Sequence, residues 1–437
     1  MASLECVFTS DATGQLFNAC AWDVVSGSVL AQYKGNTSGP RTLCMLGSEY
    51  LVSAQPEKPV LQVWSLQRKD HKHMVCPGKV TALAASPDGS HCVAGIQEKI
   101  YVWQVCSGDL LAVLSRHFQP VTCLRFSDDG ARFVSASRDG QVLAWDLADA
   151  AGAGSAEPLH AWTQHSHDVT DLYVGQGGDL ARVYSVSLDQ TLRAYALDTG
   201  EVLTTAVLDA ALAAVAVDPE EGSAFAGASS GKIFQAGSTS VSLHNNQNPE
   251  CVLRAEATFI GHQARVSCLS ISFDGLLLVS GSDDTTARIW DVPSKQCIHI
   301  LHHKGALTNA FIALTPAALT QATKAVPPSL PLTTFKRSMQ AARDANGTAV
   351  NVGRASTELW PSSLAKGGGG YRLAEECARA LSSGATPEES EMEVADGAGE
   401  KEALKEVAAL KQVNRQLYNY AWSCVLGLQE PPMKPRS

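Results

Sequence analysis

The sequence is poor in charge, and poorer still in positive charge. Charged residues occupy 18% of its 437 positions, and 34 Lys and Arg stand against 44 Asp and Glu, a formal net charge of -10. A surface of that sign does not hold nucleic acid by bulk electrostatics, which leaves only a local basic patch for such a role and points toward protein partners. The twelve cysteines form no C-x-x-C pair, and most, including Cys92, Cys123 and Cys268, fall at apolar strand positions. They read as reduced core residues of an intracellular protein rather than as disulfides or zinc ligands. The opening MASLECVFTS lacks a basic stretch followed by a long apolar one, which argues against a secretory signal. No uncharged apolar run reaches membrane-spanning length, because Asp209 interrupts the best candidate.

What is present is a repeat. Gly261 to Asp291 holds apolar runs at Val266 to Phe273, Leu276 to Val279 and Thr286 to Trp290, separated by Asp274-Gly275 and Asp283-Asp284. Such runs with turn residues between them make a three-stranded antiparallel meander. His262, Ser280, Asp284 and Trp290 are placed so that one hydrogen-bond chain satisfies the indole N–H and the hydroxyl inside the unit. The Gly-His opening and Trp-Asp close form the WD-repeat signature, and such repeats build β-propellers.

Aligned on that Trp-Asp, the chain gives Trp22, Trp64, Trp103, Trp145, Tyr195, Phe234 and Trp290, mostly about forty residues apart. The fold class is therefore all-β, a seven-bladed WD-repeat propeller. His117, Ser135, Asp139 and Trp145 repeat the polar set in the fourth unit, and His165, Ser185, Asp189 and Tyr195 in the fifth. The third unit has Gln97 where the Asp belongs, and the sixth keeps only its strand pattern. The first unit lacks an inner strand, whereas a surplus apolar run, Thr308 to Leu314, follows the seventh. That run is expected to return as the innermost strand of the first blade and close the ring, giving a propeller over residues 1–314. Ala148 to Glu157 and Gly237 to Glu256 read as surface insertions.

Residues 315–370 contain PPSLPLTTF and four consecutive glycines and read as an extended linker, with Pro331, Leu332 and Phe335 as partner contacts. Residues 371–400 read as a short helix and an acidic linker. Residues 401–428 place Val407, Leu410, Asn414, Leu417 and Ala421 on a heptad seam, a candidate coiled coil with Asn414 as the polar register position; 429–437 are a loose end. That helix either pairs two chains, joins a partner, or folds back on the propeller flank. Arg68 and Lys69, in a charged turn, are candidate contacts for an acidic partner.

Several motifs look chemical. Gly227 to Gly231, GASSG, fits a serine-hydrolase pattern but falls in a strand-to-strand turn, and GASSGK leads into a strand, where no helix N-terminus cradles phosphate. The pairs His71/His73, His165/His167 and His302/His303 lie at blade boundaries, where one His per unit is explained by the repeat. No catalytic, cofactor or metal residue is assigned.

Longer segments carry a resemblance. SLQRKD from Ser65, MVCPGKVTALAASPDG from Met74, SLDQT from Ser187, SKQCI from Ser294, KGALTNAFIAL from Lys304, PSLPLTTF from Pro328 and LKQVNRQLYNY from Leu410 are similar to the WD-repeat-eighteen family of animals. The fungal counterpart of that family is the third of the proteins involved in processing the internal transcribed spacer. The resemblance implies a non-catalytic scaffold of the Rix-type complex, or rixosome, in the nucleolus and nucleoplasm, serving large-subunit precursor maturation and spacer rRNA processing. It implies as neighbours a Rix/PELP-type helical-repeat subunit, a testis-expressed-type subunit, a midasin-type ATPase and the precursor large ribosomal subunit. Links with pre-replicative complexes are a secondary implication. A substrate receptor of a ubiquitin ligase, or another WD-repeat adaptor, is the alternative; a propeller hydrolase ranks last.

Overall fold

Strands form wherever apolar residues alternate between turn residues, and twenty-eight of them gather into seven four-stranded antiparallel sheets. This computed structural model describes residues 4–15, 17–66, 71–152, 157–237, 257–316, 319, 330 and 332–338. Contacts divide the chain after Val352, and every described residue belongs to the first unit. The sheets are the blades of a seven-bladed propeller. The innermost strands of blades 2 to 7 are Leu43–Leu46, Val80–Ala85, Val121–Phe126, Val169–Val174, Leu212–Val217 and Val266–Ile271. Blade 1 is built from both ends of the ring: Leu307–Leu314 pairs antiparallel with Glu5–Asp11, which pairs with Ala19–Asp23 and then Val29–Tyr33. Among the described residues no helix is long and apolar enough to cross a membrane.

Cohesion lies between blades as much as within them. Cys123 and Val134 of blade 4, for example, share one apolar cluster with Val169, Leu172 and Tyr195 of blade 5. A hydroxyl at the second position of the inner strand ties each such neighbour on. Thr81 donates to Val121 O (2.6 Å), Thr122 to Val169 O (2.6 Å), Thr170 to Leu212 O (3.0 Å) and Ser267 to Leu307 O (2.8 Å). These recurring Val-Thr and Val-Ser pairs are visible in the sequence and mark the inner strands.

At the seam, Asn309 fixes the register of the closing strand. Its amide donates to Ser10 Oγ (2.9 Å) and to Gly39 O (2.8 Å), and its oxygen accepts from Thr42 N–H (3.1 Å), so one side chain ties blade 1 to blade 2. Phe8 and Phe311, directly opposite each other, stack at 5.4 Å.

Two local expectations change. The second strand of the reference unit runs Leu277–Ser282 rather than stopping at Val279, because its serines find partners: Ser282 Oγ donates to Ala264 O at 3.1 Å. The stretch after Asp146, read as a flexible insertion, begins with a one-turn helix, Leu147–Ala150. Asp146 caps it by accepting from Ala148 and Asp149 N–H, while Leu147 and Ala150 are buried. Residues 153–156 and 238–256 of the two insertions lie outside the described residues.

Candidate functional site

The question of where each blade's indole N–H goes organises the polar interior, since a buried donor needs an acceptor. In blade 7, Trp290 Nε1–H donates to Ser280 Oγ (2.8 Å), Ser280 Oγ lies 2.7 Å from His262 Nε2, and His262 Nδ1 lies 2.8 Å from Asp284 Oδ2. The hydroxyl hydrogen then goes to Nε2 and Nδ1–H to the carboxylate, so one neutral tautomer satisfies the whole chain. Blade 4 repeats it with Trp145 to Ser135 (2.9 Å), Ser135 to His117 (2.8 Å) and His117 to Asp139 (3.3 Å). In blade 5, Ser185 lies 2.6 Å from His165 and His165 2.9 Å from Asp189, while Tyr195 OH stands 3.5 Å from Ser185.

These are Ser-His-Asp chains, but not nucleophiles. Ser135, Ser185 and Ser280 are 0% exposed, and in blades 4 and 7 the oxygen already accepts an indole N–H, so no substrate carbonyl reaches it. Burial pushes His262 below the ordinary histidine value, keeping it neutral despite Asp284 beside it. Burial works to raise Asp284, but hydrogen bonds from Thr286, His262 and Gln263 outweigh it and bring the carboxyl to about 2.

The central channel is closed by a group that sequence reasoning passed over. Arg41, just ahead of the inner strand of blade 2, pairs with Asp171 on the inner strand of blade 5 and donates to Ala213 O of blade 6 (2.5 Å) and Ser267 O of blade 7 (3.3 Å). An arginine touching blades 2, 5, 6 and 7 spans the ring. Asp171 also accepts from Val215 N–H (3.0 Å) and Leu172 N–H (2.9 Å). Burial alone would lower the guanidinium's pKa, yet Asp171 and nearby thiols hold it raised, so the charge stays. A signal was available: where Asp171 stands, the aligned inner strands carry Ala82, Cys123, Ala214 and Cys268. Among the described residues no group of three or more His, Cys, Asp or Glu could hold a metal ion. The nine described cysteines are free, and burial lifts Cys6, Cys20, Cys44 and Cys76 to about 12; Cys106 is exposed in a turn.

Blades 1 to 3 resolve their indoles differently. Trp22 donates to Thr9 Oγ1 (2.7 Å) and Trp64 to Lys34 O (2.9 Å). Trp103 donates to Lys336 O (2.8 Å), a residue from beyond the ring. Blade 3 has Cys76 and Ala94 where blade 4 has His117 and Ser135, and a strap from the tail supplies the missing acceptor. Phe335 lies flat on Trp103, with ring centroids 5.3 Å apart and planes 9° apart, inside a cluster with Met74, Cys76 and Leu110. Leu330 and Leu332 pack on the same cluster. Lys336 N–H donates to Gly108 O (2.8 Å), its ammonium pairs with Asp109, and Tyr50 OH donates to Leu330 O (3.1 Å). Gly108, at φ +71°, permits this approach, since a Cβ there would collide with Thr334 O. Leu332 and Phe335, expected as partner contacts, are thus spent on the chain's own third blade: burying the ring on Trp103 outweighs leaving it in water.

The family model of the WD domain, G-beta repeat, matches residues 108–146 and 254–291, the stretches ending in the Trp145 and Trp290 networks. Over 429 residues the chain is 38% identical to WD repeat-containing protein 18 of Danio rerio, covering 96% of this chain and 98% of the fish protein. The chain belongs to the WD repeat-containing protein 18 family. Its mouse relative of the same name is 42% identical over 341 residues, 77% of this chain and 79% of the mouse protein. Pre-rRNA-processing protein IPI3 of Yarrowia lipolytica is 34% identical over 294 residues, 64% of this chain and 68% of the fungal one.

For this member of the WD repeat-containing protein 18 family, the polar sets of blades 4, 5 and 7 are internal braces. The strap and the Arg41 plug, which no single-repeat pattern contains, are the departures from a plain propeller. Arg68, Lys69, Pro331, Val407, Leu410, Asn414, Leu417 and Ala421 lie outside the described residues.

Proposed function

We propose that the chain is a non-catalytic scaffold in ribosome biogenesis, acting in the processing of precursor rRNA as the WD-repeat subunit of a Rix-type complex in the nucleus. The observation that carries this is the near end-to-end likeness to WD repeat-containing protein 18 together with the likeness to a protein named for pre-rRNA processing. The sealed serines and the plugged channel favour a rigid docking body over an enzyme.

In this reading a Rix/PELP-type helical-repeat subunit and a testis-expressed-type subunit bind the propeller and tail, and the assembly brings a midasin-type ATPase to the precursor large subunit. Val407, Leu410, Asn414, Leu417 and Ala421 form the seam that pairs two chains or joins the helical-repeat subunit. Arg68 and Lys69 meet an acidic surface. Affinity purification of the intact chain and of one ending at Gly399 tests this. The intact chain is expected to bring down precursor large subunits and spacer-containing rRNA, and the shortened one to lose them. Absence of any ribosome precursor from the intact sample overturns the reading.

A further inference from the structure

The slot that holds Phe335 has a twin one blade earlier. Met74, on the outer strand His71–Val75, lies opposite Leu61, three residues before Trp64; Tyr33, on the outer strand Val29–Tyr33, lies opposite Ala19, three residues before Trp22. Each outer strand faces the next blade's tryptophan, Trp103 for Met74 and Trp64 for Tyr33. Leu110 lies opposite Trp103 as His71 lies opposite Trp64. Tyr33, Trp64 and His71 are therefore the counterparts of Met74, Trp103 and Leu110, which surround Phe335.

At the second place Phe335 fills the slot. At the first, Tyr33, Trp64 and His71, with Val29, Leu30 and Lys34, line an open groove of about 530 Å³. Val29 and Leu30 are 43% and 38% exposed on an outermost strand. Tyr33 is only 2% exposed, yet its hydroxyl has no hydrogen-bond partner among the described residues, while the neighbouring indole N–H is already taken by Lys34 O. A buried hydroxyl without a partner is rare in a finished interior and common in a half-made interface.

We infer that the groove between blades 1 and 2 is a docking slot, taking in trans an extended segment of a partner protein that carries an aromatic side chain flanked by a carboxylate. The aromatic group follows from the twin, where a phenyl ring fills the equivalent space. The carboxylate follows from charge: the strap's Lys336 meets Asp109 at the filled slot, whereas the charge lining the open one is Lys34. A carboxylate beside Lys34 also offers Tyr33 an acceptor. The occupant is a partner because residues 317–329, which lead to the strap, contain no aromatic residue and no carboxylate. The inference is independent of which complex the chain joins.

A synthetic peptide copying residues 328–338, with Lys336 and Arg337 both changed to Glu, is the probe, used with the full-length chain. Saturable binding that slows hydrogen exchange at Val29–Tyr33 is expected. Lys34→Glu should weaken it about tenfold while sparing the Trp64 bond, which uses only the backbone oxygen of residue 34. Tyr33→Phe, which keeps the ring, should weaken it several-fold. The unaltered basic peptide should show the opposite preference, binding Lys34→Glu more tightly. Absence of protection at Val29–Tyr33, or affinity indifferent to residue 34, overturns the inference. Protection there before any peptide is added, relieved by removing residues 339–437, overturns it equally, since the chain would then fill its own groove.

Discussion

Of the seven innermost strands only that of blade 5 carries a carboxylate, Asp171, and its partner Arg41 arrives from the opposite side of the ring. Removing one member of such a pair leaves the other charged, dehydrated and alone, a cost of about 3 to 5 kcal/mol. Asp171→Ala is therefore expected to lower the unfolding free energy by that amount in a denaturant titration, whereas exchanging both residues for apolar ones recovers much of the loss. The polar braces set a pH dependence. His262 and His303 are held below the ordinary value of 6.5 by burial, so the folded state refuses a proton that the unfolded chain accepts. Their contribution is complete above 6.5 and declines as pH falls below it. Asp139 and Asp284 are depressed from 3.8, so their contribution is complete above that value and is lost as pH falls through it toward about 2. Melting temperature against pH should fall in two stages, below 6.5 and again below 4, and Asp284→Asn should shrink the second. Asp171 is an example of what one repeat cannot reveal: its carboxylate is explicable only by an arginine more than a hundred residues away.

At the scale of elements, the strap shows the same limit. The seven aromatic positions and the His-Ser-Asp offsets repeat at near-constant spacing, so the blades and their braces follow from local periodicity. Phe335 belongs to no period. It sits after Pro331 in a stretch that reads as linker, and its slot exists only once two blades are side by side. One indirect signal was present: blade 3 keeps Trp103 but has Ala94 in place of the serine, and a buried indole N–H must find an acceptor somewhere. Phe335→Ala removes most of the strap's burial, worth about 2 kcal/mol. Faster hydrogen exchange at residues 332–336 and a shift in Trp103 fluorescence are expected, with the other blades unchanged. If exchange over the strap is the same in both proteins, the ring does not hold it.

For the whole molecule the decisive fact is that blade 1 takes strands from both ends of the ring. Three of its strands come from the first 33 residues and the fourth, Leu307–Leu314, comes after six intervening blades. A chain ending at Lys304 would leave Glu5–Asp11 with an open edge, Thr42 N–H without the Asn309 oxygen, and Ser267 without Leu307 O. These losses fall at one seam, and a ring transmits them to both neighbours, because each apolar cluster is shared by two blades. Ending the chain at Ser338 instead keeps the closing strand and the strap. The 1–338 chain is expected to unfold in one cooperative transition, and the 1–304 chain to lack one and aggregate through its exposed edges. Asn309→Ala in the full chain should lie between them, cooperative but lowered by about 2 kcal/mol, since it strands a buried amide while leaving the strand pairing intact. A cooperative, soluble 1–304 fragment would mean that six blades and three strands hold the ring without closure, and the seam would then be an ornament of the fold rather than its lock.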